Sequence, residues 1–245
     1  MPLLEVCVET IDEALAAAEA GAGRLEVCAC MSEAGTTPSV GLVSEILERV
    51  SIPVVVMVRP RGGDFTYTPN ELKVMLRDIA SMKQVGVHGI VSGVLEPTLA
   101  IDREATAKLV DASTPLPFTF HRAFDLAPEL EDAVVVLRNL AVTRILTSGG
   151  ASTAIVGAGA IARLARLAGA MTLLAGGGVR APHVAELLQV SGVSEVHARP
   201  VIRRRDRGVG REVRFGATAP GGERGELDMQ GVRELVSALR TLASS

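Results

Sequence analysis

Three thiols set the first chemical question. They stand at Cys7, Cys28 and Cys30, and the tetrapeptide Leu-Glu-Val-Cys occurs at both 4–7 and 25–28. In extended backbone, side chains two residues apart share a face. Glu5 therefore lies with Cys7, and Glu26 with Cys28. Neighbouring parallel strands run about 4.8 Å apart, which brings thiols on two of them close together. A pair of thiolates suits a soft cation, Cu(I) above all. Cys30 continues the second face as a third sulfur if that strand runs on to it. The other use of a buried cysteine is as a small hydrophobe. No Cys-x-x-Cys pair occurs, so the usual spacing of a structural zinc site is absent.

A second set of residues suits acid–base work. Residues 57–65 read Met-Val-Arg-Pro-Arg-Gly-Gly-Asp-Phe, 119–125 read Thr-Phe-His-Arg-Ala-Phe-Asp, and 195–197 read Glu-Val-His. With Glu5 facing inward, one lumen would hold Glu5, Cys7, Glu26, Cys28, Arg59, Thr119, His121, Thr147 and His197. Charges so confined must pair or shift their pKa values. Arg59 is the expected partner of Glu5 or Glu26, and His121 titrates near neutrality. Glu5, Glu26, Arg59, His121 and His197 are thus catalytic candidates for chemistry on a phosphorylated or carboxylated small metabolite. Taken singly, each reads equally as a structural ion pair or a satisfied core histidine. No Lys falls in a β-type run, which argues against Schiff-base chemistry. Gly176-Gly177-Gly178-Val179-Arg180 leads into a helix start, where backbone amides gather anions. Gly177, Gly178, Arg180 and Arg199 are the anion-binding candidates, although a tight turn also explains the glycines.

These residues need a scaffold that collects strand ends. Short β-type runs lie at 3–8, 24–28, 53–58, 89–94, 117–121, 144–147, 171–175 and 195–197. Their starts are about 21 to 36 residues apart, the size of one βα unit. Helical patterns fill the gaps. Thr10-Ile11-Asp12-Glu13 reads as a capping box, residues 39–50 carry an apolar helical stripe, and Thr68-Pro69-Asn70-Glu71 opens a helix running to Val85. Further helices are expected from Ala181 to Gln189 and from Asp228 to Ala243. Eight such units favour a closed (β/α)8 TIM barrel over an open doubly wound sheet. The open sheet would want a glycine fingerprint after its first strand, and Cys7-Val8-Glu9-Thr10 has none. Residues 1–245 are expected as one barrel domain, with a long Arg/Gly-rich loop at about 203–226.

Composition excludes other classes. The 25 basic and 28 acidic residues give a net charge of −3, which provides no field for nucleic acid or an anionic membrane. Aromatics are 2% with no Trp, too few to stack bases. No stretch reaches the roughly 18 apolar residues of a membrane span. The N-terminus lacks a basic region followed by an apolar stretch, so no signal peptide is expected. An odd number of cysteines argues for reduced thiols and a cytoplasmic location.

The motifs together resemble the CutC family of copper homeostasis proteins. The resemblance runs in order through Leu4-Glu5-Val6-Cys7, Arg24-Leu25-Glu26-Val27-Cys28, Glu33-Ala34-Gly35-Thr36-Thr37-Pro38-Ser39 and Arg59-Pro60-Arg61-Gly62-Gly63-Asp64-Phe65. It continues through Thr119-Phe120-His121-Arg122-Ala123-Phe124-Asp125, Arg144-Ile145-Leu146-Thr147-Ser148-Gly149, Gly176-Gly177-Gly178-Val179 and Glu195-Val196-His197. It implies a TIM barrel, a cytoplasmic homo-oligomer and a role in copper handling, with Cys7 and Cys28 as Cu(I) ligands. The chain departs from the family pattern at Cys30, at Ala198-Arg199-Pro200, and in the Arg/Gly-rich segment that follows. Copper handling would need the thiols; the alternative, an acid–base enzyme acting on an anionic metabolite, would need the carboxylates, Arg59 and His121.

Overall fold

Alternating β-branched runs and capped helices dictate the architecture. The computed structural model describes residues 1–205 and 223–244. In chain order its elements are β1 (Leu3–Val8), α1 (Ile11–Ala20), β2 (Arg24–Val27), α2 (Val40–Leu47), β3 (Val54–Met57), α3 (Pro69–Val85), β4 (Gly89–Ser92), α4 (Arg103–Ser113), β5 (Phe118–Phe120), α5 (Leu130–Asn139), β6 (Arg144–Thr147), α6 (Ala158–Ala168), β7 (Thr172–Gly176), α7 (Ala181–Ser191), β8 (Glu195–Ala198), β9 (Val201–Arg205), β10 (Glu223–Leu227) and α8 (Met229–Ser244). Strands β1 to β8 pair in parallel, each with the next, and β8 closes on β1. This is the expected (β/α)8 TIM barrel.

Local chemistry explains the helix starts. Thr68 accepts the Glu71 N–H at 3.2 Å, and the Glu71 carboxylate accepts the Thr68 N–H at 2.7 Å, a complete capping box for α3. At α1 only half of the expected box forms. Thr10 accepts the Glu13 N–H at 3.1 Å, while the Glu13 carboxylate turns back to the Glu9 N–H at 2.8 Å. That displacement leaves Glu13 at the barrel mouth, where it meets Arg199.

Strand alternation sorts the barrel into two cores. Leu4, Val6, Leu25, Val27, Val54, Val56, Ile145 and Leu173 face outward and pack under the helices. Their neighbours face the lumen: Cys7, Cys28, Val55, Met57 and Val91 pack together there. The lumen otherwise holds polar groups, including Arg24 and Arg144, which the sequence analysis did not place inside. Thr147 was expected in the lumen but belongs to the other face. Its neighbour Leu146 lines the interior, while the Thr147 hydroxyl donates to Asp125 at 2.5 Å beneath the 122–126 turn.

The segment after β8 is not a plain loop. Residues at both ends of 203–226 form strands. β9 and β10 pair antiparallel, with Val201 opposite Leu227 and Arg205 opposite Glu223. The rest of the expected loop, 206–222, lies outside the described residues. The Leu227 N–H donates to Glu13 at 2.9 Å, which ties the arm to α1.

Candidate functional site

A cavity of about 290 Å³ opens at the carboxyl ends of the strands. Its walls differ in chemistry. On the β1–β2–β8 side lie the sulfurs and the carboxylates. Cys7 Sγ and Cys28 Sγ are 3.6 Å apart, both buried. Met31 Sδ is 3.6 Å from Cys7 Sγ, so Cys7 touches two other sulfurs. Val55, Met57 and Val91 floor this corner with apolar contacts.

Cys30 is not one of the three. The structure places it on the surface, its sulfur 3.6 Å from the Ser32 hydroxyl. The reason is backbone geometry. β2 stops at Val27, and Cys30 has φ 53°, in the left-handed region. Two-residue alternation ends there, so Cys30 cannot share the face of Cys28. The turn Met31–Glu33 then aims Met31 inward, and Ala34 (φ 64°) and Gly35 (φ 93°) return the chain. Gly35 is favoured by its positive φ; a Cβ there would make only ordinary contact, 3.4 Å from Cys28 Sγ and 3.6 Å from Met31 Sδ.

Arg199 is employed in holding this turn. Its guanidinium reaches Glu9 at 3.0 Å and Glu13 at 2.9 Å, and it donates to the Cys7 carbonyl at 2.9 Å. Glu9 in turn accepts the Met31 N–H at 2.7 Å. The expected use of Arg199 as an anion ligand is therefore corrected: its charge is already matched by two carboxylates.

Below the sulfurs runs a ladder of paired charges. Glu5 accepts from Arg24 and lies 2.8 Å from His197 Nδ1. Arg24 also reaches Glu195 at 2.6 Å, and Arg144 reaches the same carboxylate at 2.8 Å. Burial alone would raise the Glu5 pKa, but His197 and Arg24 outweigh it and bring it down to about 2. His197 moves up, because Glu26 and Glu5 overcome the burial that favours its neutral form. Glu26 is raised by burial. One of its oxygens, Oε2, lies 3.5 Å from Cys28 Sγ and 3.8 Å from His197 Nε2; the other, Oε1, is buried without a partner. Cys7 Sγ, a Glu26 oxygen and a His197 nitrogen all fall within 4.8 Å of one another. Contact with Cys7 and burial push the Cys28 thiol well above the usual value. At Cys7, contact with Cys28 favours the thiolate, but burial and the Glu26 charge prevail and its pKa rises too.

The opposite wall is cationic. Arg59 does not pair with Glu5 or Glu26, as the sequence analysis expected. Its guanidinium donates to the carbonyls of Glu33 (2.5 Å), Gly35 (2.8 Å) and Gly63 (2.7 Å). Those carbonyls belong to the loops after β2 and β3, which intercept it before it can reach the lumen acids. His121 stands beside it, packed on Phe65 with ring centroids 4.9 Å apart. Arg122, Arg180, Gly177 and Gly178 complete this side. The expected acid–base set therefore splits: Glu5, Glu26 and His197 come together, while Arg59 and His121 line other parts of the same cavity.

The chain is similar to known proteins. A profile described as the CutC family matches residues 2–202. The chain belongs to the CutC family. A family protein CutC of Mesorhizobium japonicum is 43% identical over 198 residues, covering 80% of this chain and 77% of the relative. The copper homeostasis protein cutC homolog of Homo sapiens is 42% identical over 196 residues, covering 80% of this chain and 72% of that one. A solved CutC structure from Streptococcus agalactiae superposes with a TM-score of 0.76 at 34% identity, covering 80% of this chain and 98% of the other. The phosphoribosylanthranilate isomerase of Thermotoga maritima, at 14% identity and TM-score 0.59, shares the barrel fold. The CutC match ends inside β9, so β10 and α8 lie beyond it.

Sequence reasoning missed Met31, Arg24 and Arg144. Arg24 is two residues before Glu26, so alternation alone would have put it inside; Arg144 was excluded by taking Thr147 as inward. Met31 carried no comparable signal, because a left-handed residue precedes it.

Proposed function

We propose that this CutC-family protein serves copper homeostasis by holding Cu(I) between Cys7 and Cys28, with the Met31 thioether as third ligand. One observation carries this reading: two thiols and a thioether converge at 3.6 Å spacings on a buried, apolar floor. Two sulfurs on one ion, each about 2.3 Å from it as in zinc thiolates, are at most about 4.6 Å apart. The observed spacing fits a shared ion with a bent arrangement and leaves room for a third sulfur. Thiolate and thioether together select Cu(I) over harder divalent ions. The names of the relatives from Homo sapiens and Streptococcus agalactiae support the same role. Three free cysteines fit a reducing cytoplasm. Among the described residues, no helix is long and apolar enough to cross a membrane.

Both thiols are neutral in the ion-free protein, so Cu(I) must displace their protons on binding. Glu26, whose Oε2 lies 3.5 Å from Cys28 Sγ, is placed to receive one.

The test is an anaerobic Cu(I) titration against a competing chelator. Wild type should bind one equivalent. Cys7→Ser and Cys28→Ser should each lose affinity by about a hundredfold or more, equivalent to about 2.7 kcal/mol. Affinity that is unchanged in both variants would overturn the reading.

A further inference from the structure

The sulfurs line only part of the cavity, and its other lining residues include cations without carboxylate partners. Arg59 is buried at 2% exposure and faces the cavity. All its hydrogen bonds go to backbone carbonyls, and it has no carboxylate partner among the described residues. Its Nε is buried and unpartnered. Arg180, at the start of α7, donates to the Val179 carbonyl and has no carboxylate partner among the described residues. A guanidinium taken from water without a counter-charge is costly; buried Arg59 after β3 and half-buried Arg180 after β7 line the same cavity from facing sides of the barrel, which points to an anion between them.

His121 supplies the independent observation. It is 4% exposed, and its Nδ1 accepts the Ala123 N–H at 3.2 Å. With Nδ1 used as an acceptor, the neutral ring must carry its proton on Nε2. Burial, reinforced by the Arg59 charge, holds the ring neutral, with a pKa lowered to about 3. Nε2–H is thus a fixed donor, and it has no partner. A buried donor left unmade costs about 1–3 kcal/mol. Gly177 and Gly178 add N–H groups that donate to no protein acceptor among the described residues, at the N-terminus of α7.

We infer that this wall binds a small organic oxyanion carrying a second acceptor oxygen, such as a hydroxy acid or its phosphorylated form. The anionic group sits between Arg180, the Gly177–Gly178 amides and the Arg59 side of the cavity. The second oxygen accepts from His121 Nε2–H. A volume of about 290 Å³ lies at the low end of ligand pockets, which limits the occupant to a small metabolite. Arg122 borders this site but is already paired with Asp125 at 2.8 Å; it walls the site rather than neutralising the ligand. The site is separate from the three sulfurs and does not depend on copper binding.

Calorimetric titrations with inorganic phosphate, glycolate and 2-phosphoglycolate test it. At least one organic probe should bind at least about tenfold more tightly than inorganic phosphate, and the comparison of the two organic probes tells carboxylate from phosphate recognition. Arg180→Gln should weaken that binding about tenfold or more, the range for a hydrogen bond to a charged group. Arg49→Gln, an exposed change just past the end of α2, should not. Because His121→Phe could disturb packing, the His121 contribution is read in wild type: the Nε2 nitrogen resonance should shift on ligand addition while Nδ1 remains an acceptor. Absence of binding by all three probes, binding indifferent to Arg180→Gln, or a silent His121 resonance would each overturn the inference.

Discussion

Two walls of one cavity handle charge in opposite ways. On the β1–β2–β8 side nearly every charge meets its opposite: Glu5 with Arg24 and His197, Glu195 with Arg24 and Arg144, Arg199 with Glu9 and Glu13. Elsewhere on the cavity, Arg59 and Arg180 have no carboxylate among the described residues: Arg59 has loop carbonyls and the Phe65 ring, Arg180 the Val179 carbonyl. The paired wall is chemically complete apart from its sulfurs and one Glu26 oxygen, so it holds structure and presents soft ligands. The unpaired wall is complete only with something added. The location of an ionisable residue in a barrel lumen therefore says less about its role than whether its charge is matched.

The largest expected effect tests the paired wall. Glu5→Gln should destabilise the protein by about 3 kcal/mol, the low end for breaking a buried ion pair, because Arg24 keeps Glu195. Urea unfolding at neutral pH measures it. The pH dependence has a definite sign. Glu5 has a folded pKa of about 2, below its ordinary 4.5. Its contribution is fully present above pH 4.5 and is lost as pH falls toward 2. Wild type should therefore lose stability through that window more steeply than Glu5→Gln. Equal slopes would show that the ladder is not a stabilising pair network.

Next comes Met31→Leu, which keeps the volume and removes the sulfur. Cu(I) affinity should fall about tenfold, or 1.4 kcal/mol, while stability changes by less than about 1.5 kcal/mol. Binding of the oxyanion probe should not change, which separates the two walls. If Zn(II) binds and survives this change but fails in His197→Ala, then Cys7, Glu26 and His197 form the preferred metal site, and the soft-ion reading yields to a harder one.

The smallest effect is expected at Cys30→Ser. Cys30 is exposed and distant in role from the three-sulfur corner, so both Cu(I) affinity and stability should stay within about 0.5 kcal/mol of wild type. A clear loss of copper would return Cys30 to the site.

Most of the scaffold was legible. Eight apolar runs spaced by one βα unit could hardly close otherwise, and alternation placed Glu5, Cys7, Glu26 and Cys28 on the inner face because their strands are regular. Prediction failed where regularity stopped. Cys30 lies just past β2 in left-handed backbone, so the rule that sorted Cys28 could not sort it, and Met31 supplied the sulfur instead. Arg59 was expected to seek the nearest acids, but loop carbonyls that no period describes reached it first. Thr147 was misplaced by one residue: in a strand of period two, that exchanged it with Leu146. Arg199, read as an anion ligand from its position after β8, was claimed by Glu9 and by the Glu13 that half a capping box set free.

The turn carrying Met31 also governs time. It closes over Cys7 and Cys28 between two non-glycine left-handed residues, Cys30 and Ala34, and is anchored through Glu9 to Arg199. If Cu(I) is held as proposed, its dwell time would follow the opening rate of this turn as well as the strength of the sulfur bonds. Such a lid suits a reservoir that gives up its ion slowly; rapid hand-off would require a partner that takes hold of the turn itself.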